Sequence, residues 1–441
     1  MSIANKQIFL HIGTPKTGTS ALQKFFMDNL ESLERNGFSY PKHGFDGNDI
    51  SSGNGQEIIN IAIHQGVGKA RAHLDKLLKK SKSNNVLISS EAFYGHPEIV
   101  HRIAPAAKVI VYFRNQLDLV ESSYNQSVKR AGQKAPFSVA LKRVMNRKEP
   151  FYTGELIKRW VDLYGKNNVV FRLYENDSFK NKNIYDDFLY SIGVGHTENF
   201  HIRPSKVNVS YCADALDYKR CLNALVENIS FPFMAEVDAV LQRYSHDYFE
   251  NGGQKFSLYS EEELAQADSF FQCYREELAD IFGLDKKLFY NNYKFFSPVI
   301  DSNKKVQSIN RITDLLLAKN PKIGSVLRDA LSSGFESSNP VVRKSAQVLS
   351  PLLARPDFYN AMLDMSRITT GGALGFSDRQ LKAMSEGAYK EADYLRDISI
   401  IVDQENRTEM AHKLISRALQ LRPNGPKIQE LEKHYQRKLQ N

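Results

Sequence analysis

Residues 8–20 read Ile8-Phe9-Leu10-His11-Ile12-Gly13-Thr14-Pro15-Lys16-Thr17-Gly18-Thr19-Ser20. The apolar run at the start predicts a buried β-strand, and the pattern of residues 20–36 predicts a helix. Between them, Gly13 and Gly18 keep the spacing of the phosphate-binding loop G-x-x-x-x-G-K-[ST], and Ser20 keeps its last hydroxyl. Thr19 stands where that loop has its lysine, and the lysine has moved inside the loop, to Lys16. A loop between strand and helix offers backbone N–H groups and a positive helix end, which predicts an anion-binding site.

The first 200 residues alternate strand-like and helix-like patterns. Short apolar runs predict strands at residues 8–12, 38–40, 86–89, 108–113 and 169–174, with helical segments between them. This rhythm is typical of an α/β protein with a P-loop-like parallel sheet flanked by helices. Ligands bind such sheets at the carboxyl ends of the strands, where Lys16, Glu91 and Arg114 are expected.

Beyond about residue 205, helical patterns predominate. Helices are predicted at residues 213–226, 261–282, 306–318 and 410–421. The polar stretch 297–305 is predicted to separate a domain of residues 1–300 from a helical region of residues 301–441. Residues 418–424 resemble the end of a tetratricopeptide helix pair, but no 34-residue period is evident. One amphipathic helix followed by a turn is therefore the preferred interpretation.

Composition places the chain among globular proteins. Hydrophobic residues make up 42% and aromatic residues 11% of the 441 positions, which suffices for a core. No apolar run reaches the roughly 18 residues of a membrane span, and no secretory leader is recognised. The cysteines Cys212, Cys221 and Cys273 lack close CxxC spacing, which disfavours disulfides and zinc and favours a reducing compartment. We therefore expect a cytoplasmic, metal-free protein.

The formal net charge of +9 favours anionic ligands or surfaces. It does not choose among a nucleotide, an acidic glycan, a nucleic acid and an anionic lipid. We predict no nucleic-acid partner, and peripheral contact with a membrane stays open.

A second motif begins where the predicted strand 108–113 ends. Arg114 follows that strand directly, and Ser122 lies eight positions later. A guanidinium offers a planar fork to a phosphate, and a hydroxyl can add a hydrogen bond. A triphosphatase would more often place an aspartate here to hold magnesium. The pattern predicts a second phosphate site without a metal, although Arg114 alone would fit a structural ion pair about as well.

Together, the two motifs resemble those of the sulfotransferase family, whose members use 3′-phosphoadenosine 5′-phosphosulfate (PAPS) as donor. The first family signature is close to P-K-[ST]-G-T-[ST], which residues 15–20 match throughout, and Arg114 and Ser122 match the second. Ala21 replaces a tryptophan common in cytosolic small-molecule members, and residues 21–23 look more like the bacterial and carbohydrate-modifying branches. Residues 169–176 resemble a later strand ending in Tyr-Glu-Asp, with Asn176 for the aspartate. The resemblance covers roughly residues 6–210.

The resemblance implies roles for the matched residues. Lys16 would neutralise charge on the oxygen that bridges phosphorus and sulfur, while backbone amides of the loop hold the 5′-phosphosulfate. Arg114 and Ser122 would bind the 3′-phosphate, and Tyr174 would lie near the adenine. A positioned cation is what a developing negative charge on the leaving phosphate requires. The predicted donor-binding residues are thus Pro15, Lys16, Thr17, Gly18, Thr19, Ser20, Arg114, Ser122 and Tyr174.

An acceptor hydroxyl also needs a base. Glu91 is the first candidate, because it follows the predicted strand 86–89 on the ligand edge. The alternative is that Glu91 caps a helix or pairs with a nearby lysine. His11 is a second candidate, for which a buried structural role is preferred; His64 and His96 have little support.

Seven basic residues lie between positions 129 and 148, and that span contains no acid: Lys129, Arg130, Lys134, Lys142, Arg143, Arg147 and Lys148. They indicate either a rim that attracts an anionic acceptor or PAPS, or a solvated helix face, and the second is preferred. Arg203 and Lys206 are further candidate neighbours of a phosphate.

We therefore expect a PAPS-dependent sulfotransferase that acts on a hydroxyl of a surface polysaccharide, lipopolysaccharide or glycolipid and releases adenosine 3′,5′-bisphosphate. The carbohydrate acceptor rests on the branch resemblance alone. The alternatives are a nucleotide kinase with a divergent loop and a non-catalytic interaction protein with a repeat-like helical C-terminus. Thr19 and Arg114 disfavour the kinase, and the missing repeat period disfavours the interaction protein. No oligomeric state follows from the sequence.

Overall fold

The computed structural model describes residues 5–44, 52–195, 199–202, 210–226, 233–287, 293–296, 302–354, 390–404 and 408–440. Its contacts divide the chain into two compact units, Met1–Phe358 and Tyr359–Asn441. The predicted domain boundary between residues 300 and 301 falls inside the first unit.

A five-stranded parallel sheet lies at the centre of the first unit, which confirms the predicted α/β class. The strands are β1 (Gln7–His11), β2 (Phe38–Ser39), β3 (Asn85–Ser89), β4 (Lys108–Phe113) and β5 (Val169–Leu173). Their spatial order is β2-β3-β1-β4-β5, and every neighbouring pair is parallel. The chain builds one half of the sheet on each side of β1. The loop that follows β1 therefore lies at the switch point, where such sheets bind ligands.

Thirteen helices precede residue 288 in the described part of the chain. They are α1 (Thr19–Asp28), α2 (Leu30–Arg35), α3 (Gln56–Gln65), α4 (Val67–Lys80), α5 (Pro97–Ile103), α6 (Gln116–Arg130), α7 (Phe137–Arg147), α8 (Pro150–Thr153), α9 (Glu155–Tyr164), α10 (Ile184–Ser191), α11 (Ala213–Leu225), α12 (Met234–Glu250) and α13 (Glu261–Phe282).

Alternate residues of each strand pack on opposite faces of the sheet, as the period of two requires. Val109 and Val111 of β4 lie in a core shared with α3, α4, α5 and α9. Ile110 and Tyr112 of the same strand lie in a core shared with α1 and α10. Both faces are covered, which explains why the strands read as continuous apolar runs.

A further core joins α6, α7, α11, α12 and α13 to three later helices: α14 (Ser302–Lys319), α15 (Ile323–Glu336) and α16 (Pro340–Leu349). Leu316 of α14 and Leu327 of α15 are buried there with Leu222 of α11. The second half of the predicted polar junction, residues 302–305, begins α14, and residues 297–301 lie outside the described residues.

The second unit contains three described helices, α17 (Glu391–Gln404), α18 (Thr408–Leu421) and α19 (Pro426–Gln440). Ala411, Ile415 and Ala418 of α18 pack with Ile428 and Tyr435 of α19 in a small core. The helix predicted at residues 410–421 is confirmed as α18. Across both units, no described helix has the length and apolarity needed to cross a membrane.

Candidate active site

The loop after β1 contains three residues with positive φ: Gly13 at +32°, Lys16 at +68° and Gly18 at +73°. A Cβ on Gly13 would lie 2.7 Å from Thr19 Cγ2, and one on Gly18 would lie 2.8 Å from Ile184 Cδ1. Only glycine fits at these two turns. At Lys16, the left-handed conformation costs about 1–2 kcal/mol, so the surrounding contacts must hold it in place.

Unpaired hydrogen-bonding groups gather at this loop. Gly18 caps α1 without a side chain, and the Leu22 N–H donates to the Gly18 carbonyl at 3.0 Å. The N–H groups of residues 19–21 precede that bond and therefore have no acceptor within the helix. The Thr14 hydroxyl is buried and has no hydrogen-bond partner among the described residues. Free amides and a buried hydroxyl at a helix N-terminus fit a phosphate or a phosphosulfate.

Arg114 closes the loop from the end of β4. Its Nη1 donates to the Lys16 carbonyl at 3.0 Å, which fixes the left-handed residue. Its guanidinium lies over the ring of Tyr174, 5.7 Å from the ring centroid. The hydrogen bond to Lys16 involves one of the five guanidinium donors. The structure thus brings the two predicted cations of the site together.

Tyr174 follows β5, and its N–H donates to the Phe113 carbonyl at 2.7 Å. A Cβ on Gly18 would lie 3.2 Å from Tyr174 Cε2, so the ring covers the last turn of the loop. The loop, Arg114 and Tyr174 therefore lie together, although they are far apart in sequence.

Glu91 approaches the loop from the other side, after β3. It begins a 3-10 turn (Glu91–Phe93), which is capped by Ser90 rather than by Glu91 itself. A Cβ on Gly13 would lie 3.3 Å from Glu91 Cγ, which places the glutamate stem against the loop. The residue is exposed to solvent, although many protein atoms lie around its carboxyl group.

The pKa of Glu91 lies above its ordinary value, chiefly because partial burial disfavours the carboxylate. The Lys16 charge lowers the pKa, and so does the Thr19 hydroxyl, which lies beside Glu91 without ordinary hydrogen-bond geometry. The pKa of Lys16 is lowered, first by burial and then by Arg114, while Glu91 acts in the opposite direction. Glu91 and Lys16 are therefore electrostatic neighbours across the loop.

Ser122 lies two turns into α6 and is half-buried. Asp118, one turn before Ser122, has a carboxyl whose pKa is raised by burial and lowered by Arg114. Glu121 accepts a hydrogen bond from the Leu258 N–H, and burial raises its pKa to about 7. Neither acid is among the site residues predicted from the sequence, although Asp118 lies one helical turn after Arg114.

His11 does not suit the role of base. It is fully buried, and its Nδ1 lies 2.9 Å from the Ser89 hydroxyl, which also accepts a hydrogen bond from Gln23 at 3.1 Å. Burial lowers the pKa of His11 to about 3. The ring packs edge-on against Phe188, so an acceptor has no access to it. The preferred structural role fits this environment.

The basic run 129–148 divides into two groups. Lys142, Arg143 and Arg147 are exposed on α7, whose opposite face buries Leu141 and Val144. These residues form the solvated face that was preferred. Lys129 differs because its side chain is buried. Arg203 and Lys206 lie outside the described residues.

Comparisons with known proteins do not assign a function to the chain, so a functional proposal has to be argued from the residues of the site. No protein-family model matches the chain, and no curated protein matches it significantly. The chain is similar to a solved sulfotransferase from Alicyclobacillus acidocaldarius, with 15% identity and a TM-score of 0.38, over 65% of this chain and 99% of that one. A likeness at this level assigns neither a family nor an activity. Among the described residues, no three His, Cys, Asp or Glu side chains gather as metal ligands, and metal independence stays a prediction.

Proposed function

We propose that the protein is a PAPS-dependent sulfotransferase. The observation that supports this most is the placement of Lys16 within the loop at the end of β1, between two neighbouring strand ends. Arg114 after β4 binds the Lys16 carbonyl, and Glu91 after β3 faces the lysine electrostatically. This arrangement suits sulfuryl transfer, because Lys16 would lie at the bond to be broken, Arg114 at a second phosphate and the Glu91 carboxylate beside the acceptor.

In this proposal, the loop N–H groups and Lys16 bind the phosphosulfate. The acceptor oxygen attacks sulfur, the bond from sulfur to the bridging oxygen breaks, and its electron pair stays on the leaving phosphate. Lys16 stabilises that charge as it develops, and Glu91 receives the proton of the acceptor hydroxyl. Arg114 and Ser122 bind the 3′-phosphate, and the Tyr174 ring lies beside the adenine.

We further propose that the acceptor is a carbohydrate hydroxyl. This part rests on the resemblance of residues 15–23 to the carbohydrate-modifying branch. The solvent exposure of Glu91 is compatible with an acceptor larger than the site.

Donor binding provides the decisive test. Calorimetry should show that the wild-type protein binds adenosine 3′,5′-bisphosphate at least about tenfold more tightly than ADP or ATP, because a charged hydrogen bond contributes about 1.5–3 kcal/mol. Arg114→Ala should remove most of that preference. Arg71→Ala is the matched control, because Arg71 is half-exposed and pairs only loosely with Asp75 at 3.8 Å.

Arg114 also holds the loop, so Arg114→Lys separates its two functions. Lysine keeps the charge but loses the planar fork, and we expect intermediate bisphosphate affinity. Equal affinity of the wild type for ATP and the bisphosphate would contradict the proposal. A strict magnesium requirement for nucleotide turnover would favour the kinase alternative.

A further inference from the structure

Lys129 is a buried lysine on the face of α6 that also carries Ser122. Its residue is 9% exposed, and its ammonium lies over the ring of Tyr211, 5.2 Å from the centroid. Asn125, one turn before Lys129, holds the Tyr211 backbone in place, since it donates to the Tyr211 carbonyl at 3.1 Å and accepts from the Tyr211 N–H at 3.2 Å. Packing against Tyr211 therefore fixes the position of the Lys129 side chain, unlike that of a freely solvated surface lysine.

The charges around Lys129 do not balance. Asp238 is the carboxylate whose charge raises the pKa of Lys129, and Asp238 already has other partners. Lys219 lies 3.1 Å from Asp238 Oδ1, Arg130 lies 3.6 Å from Oδ2, and the Tyr211 hydroxyl donates to Oδ1 at 3.0 Å. Three cations thus share one carboxylate in this cluster. Among the described residues, no hydrogen bond satisfies the Lys129 ammonium.

Burial is the main cause that lowers the pKa of Lys129 to about 8, and Arg130 and Lys16 lower it further. Lys16 is thus close enough for its charge to act on Lys129, which lies on α6 seven residues after Ser122. Holding a poorly compensated cation there is unfavourable unless an anion completes the cluster. The cluster of Lys129, Arg130 and Lys219 around Asp238 is thus suited to receive a negative group.

We propose that Lys129, with Arg130 at its edge, forms an anion-binding subsite for the acceptor, so that the hydroxyl receiving sulfate belongs to an acidic molecule. This inference rests on the proposed function, in which Lys16 binds the donor and the acceptor hydroxyl attacks its sulfur. The ligand chemistry is a carboxylate, phosphate or sulfate group carried by the acceptor.

The donor is a less suitable source of that anion. The loop amides with Lys16 and the pair Arg114 and Ser122 already account for both of its phosphate groups. Lys129 lies seven residues beyond Ser122, about 10 Å along the helix axis. A third cationic position at that distance fits a third anionic group, which the acceptor has to supply.

A chemically matched pair of probes tests the subsite. We would measure binding of a polyglucuronate oligosaccharide, and of the same oligosaccharide after carboxyl reduction, to protein saturated with adenosine 3′,5′-bisphosphate. The wild type should bind the acidic form at least about tenfold more tightly, as expected for a charge-assisted contact. Lys129→Met should abolish this preference and change bisphosphate affinity by less than about twofold, while Lys129→Arg should retain it.

Lys142→Met is the control, because it removes one charge from the same basic run at an exposed position. It should leave the preference unchanged. If Lys129→Met does not fold, Lys129→Gln and Arg130→Ala give the same comparison, and Arg130→Ala should reduce the preference severalfold.

Two outcomes would overturn the subsite: equal wild-type affinity for the two oligosaccharides, or a loss of bisphosphate affinity in Lys129→Met with the oligosaccharide preference intact. The second would assign Lys129 to the donor. Failure of the proposed function has a different signature, since the wild type would then not prefer the bisphosphate over ATP, whatever the oligosaccharides do.

Discussion

At Lys16, charge and backbone conformation must be separated before a loss of activity can be interpreted. The residue has a φ of +68°, which asparagine adopts more readily than alanine. Lys16→Asn should therefore preserve the loop while removing the cation. We expect a 100- to 1000-fold decrease in the single-turnover rate with PAPS and a much smaller change in bisphosphate affinity. Lys16→Arg should recover part of the rate, and a variant with normal chemistry but weak donor binding would reduce Lys16 to a phosphate ligand.

Glu91 should give the reaction its pH dependence. A base acts only when deprotonated, and burial raises the Glu91 pKa above 4.5. The rate kcat/KM should therefore increase with pH through a midpoint above the ordinary glutamate value. Glu91→Gln should lower the rate by roughly 100- to 10,000-fold and remove this limb of the profile, with bisphosphate binding nearly unchanged. An unchanged pH limb in the variant would assign the titration to another group.

His11 should affect stability rather than chemistry. Its pKa is about 6.5 when unfolded and about 3 when folded, so the unfolded state binds the proton more readily below pH 6.5. The free energy of unfolding is therefore not reduced by His11 above pH 6.5, where the ring is neutral in both states. It decreases as the pH falls from 6.5 towards 3, because only the unfolded state binds the proton there. Between pH 6.5 and 5 the loss is about 2 kcal/mol. Chemical denaturation at pH 6.5 and 5 should show a smaller decrease in the free energy of unfolding for His11→Gln than for the wild type. Equal decreases would contradict the structural role of His11.

The residues of the site were predictable to different degrees. Lys16 and Arg114 follow apolar runs directly, and the end of a parallel strand points to the ligand edge whatever the rest of the chain does. Lys129 gave no such signal, because its meaning depends on Asp238, a residue 109 positions later. Its basic neighbours on α7 look the same in sequence but are exposed.

At the scale of elements, Asp187 joins α10 to the sheet edge beside the loop. Its buried carboxylate accepts from the Tyr112 hydroxyl at 2.9 Å, from Arg172 Nε at 3.0 Å and from the Lys180 N–H at 2.9 Å. Asp187→Ala should lower the free energy of unfolding by about 3–5 kcal/mol, because it leaves these donors without their partner. It should also weaken bisphosphate binding, since α10 places Ile184 against Gly18.

Asp177→Ala, in the turn between β5 and α10, is the control, and denaturant titration is the measurement. The Asp177 side chain is 84% exposed and pairs with Lys182 only at the surface. Its removal should change stability by less than about 0.5 kcal/mol. Similar losses for both aspartates would show that Asp187 does not join these elements.

Strands and helices differ in how much of their extent the sequence determines. The four longer strands lie within about two residues of their predicted bounds, since they are short apolar runs between turn residues. The helix predicted over residues 20–36 divides at Asn29 into α1 and α2. The Asn29 amide donates to the Phe25 carbonyl and to the His201 carbonyl. A contact 172 positions away leaves no local pattern that could predict the break.

At the scale of the whole molecule, periodicity predicts that a helix has an apolar face but not which partner covers it. Helices α14, α15 and α16 were assigned to a C-terminal region from their position in the sequence. Their apolar faces instead complete the core around α6 and α11. The buried side chains they supply include Ile309, Ile312, Leu316, Ile323, Leu327, Leu331 and Leu349.

Two truncations should therefore behave very differently. Removing residues 301–441 would take these seven side chains out of the core and expose the side chains that they cover. Burial of each contributes about 1.5–3 kcal/mol to the free energy of unfolding, so the loss is on the order of 10–20 kcal/mol in all. That exceeds or matches the total stability of a typical domain, about 5–15 kcal/mol, so the fragment 1–300 should not fold or bind bisphosphate. The fragment 1–358 keeps the whole first unit and should unfold cooperatively and bind within about twofold of the full chain. Calorimetry and denaturation of both fragments would check this. Full bisphosphate affinity in the fragment 1–300 would mean that α14–α16 are dispensable to the core, and the boundary predicted at residue 300 would then be the functional one.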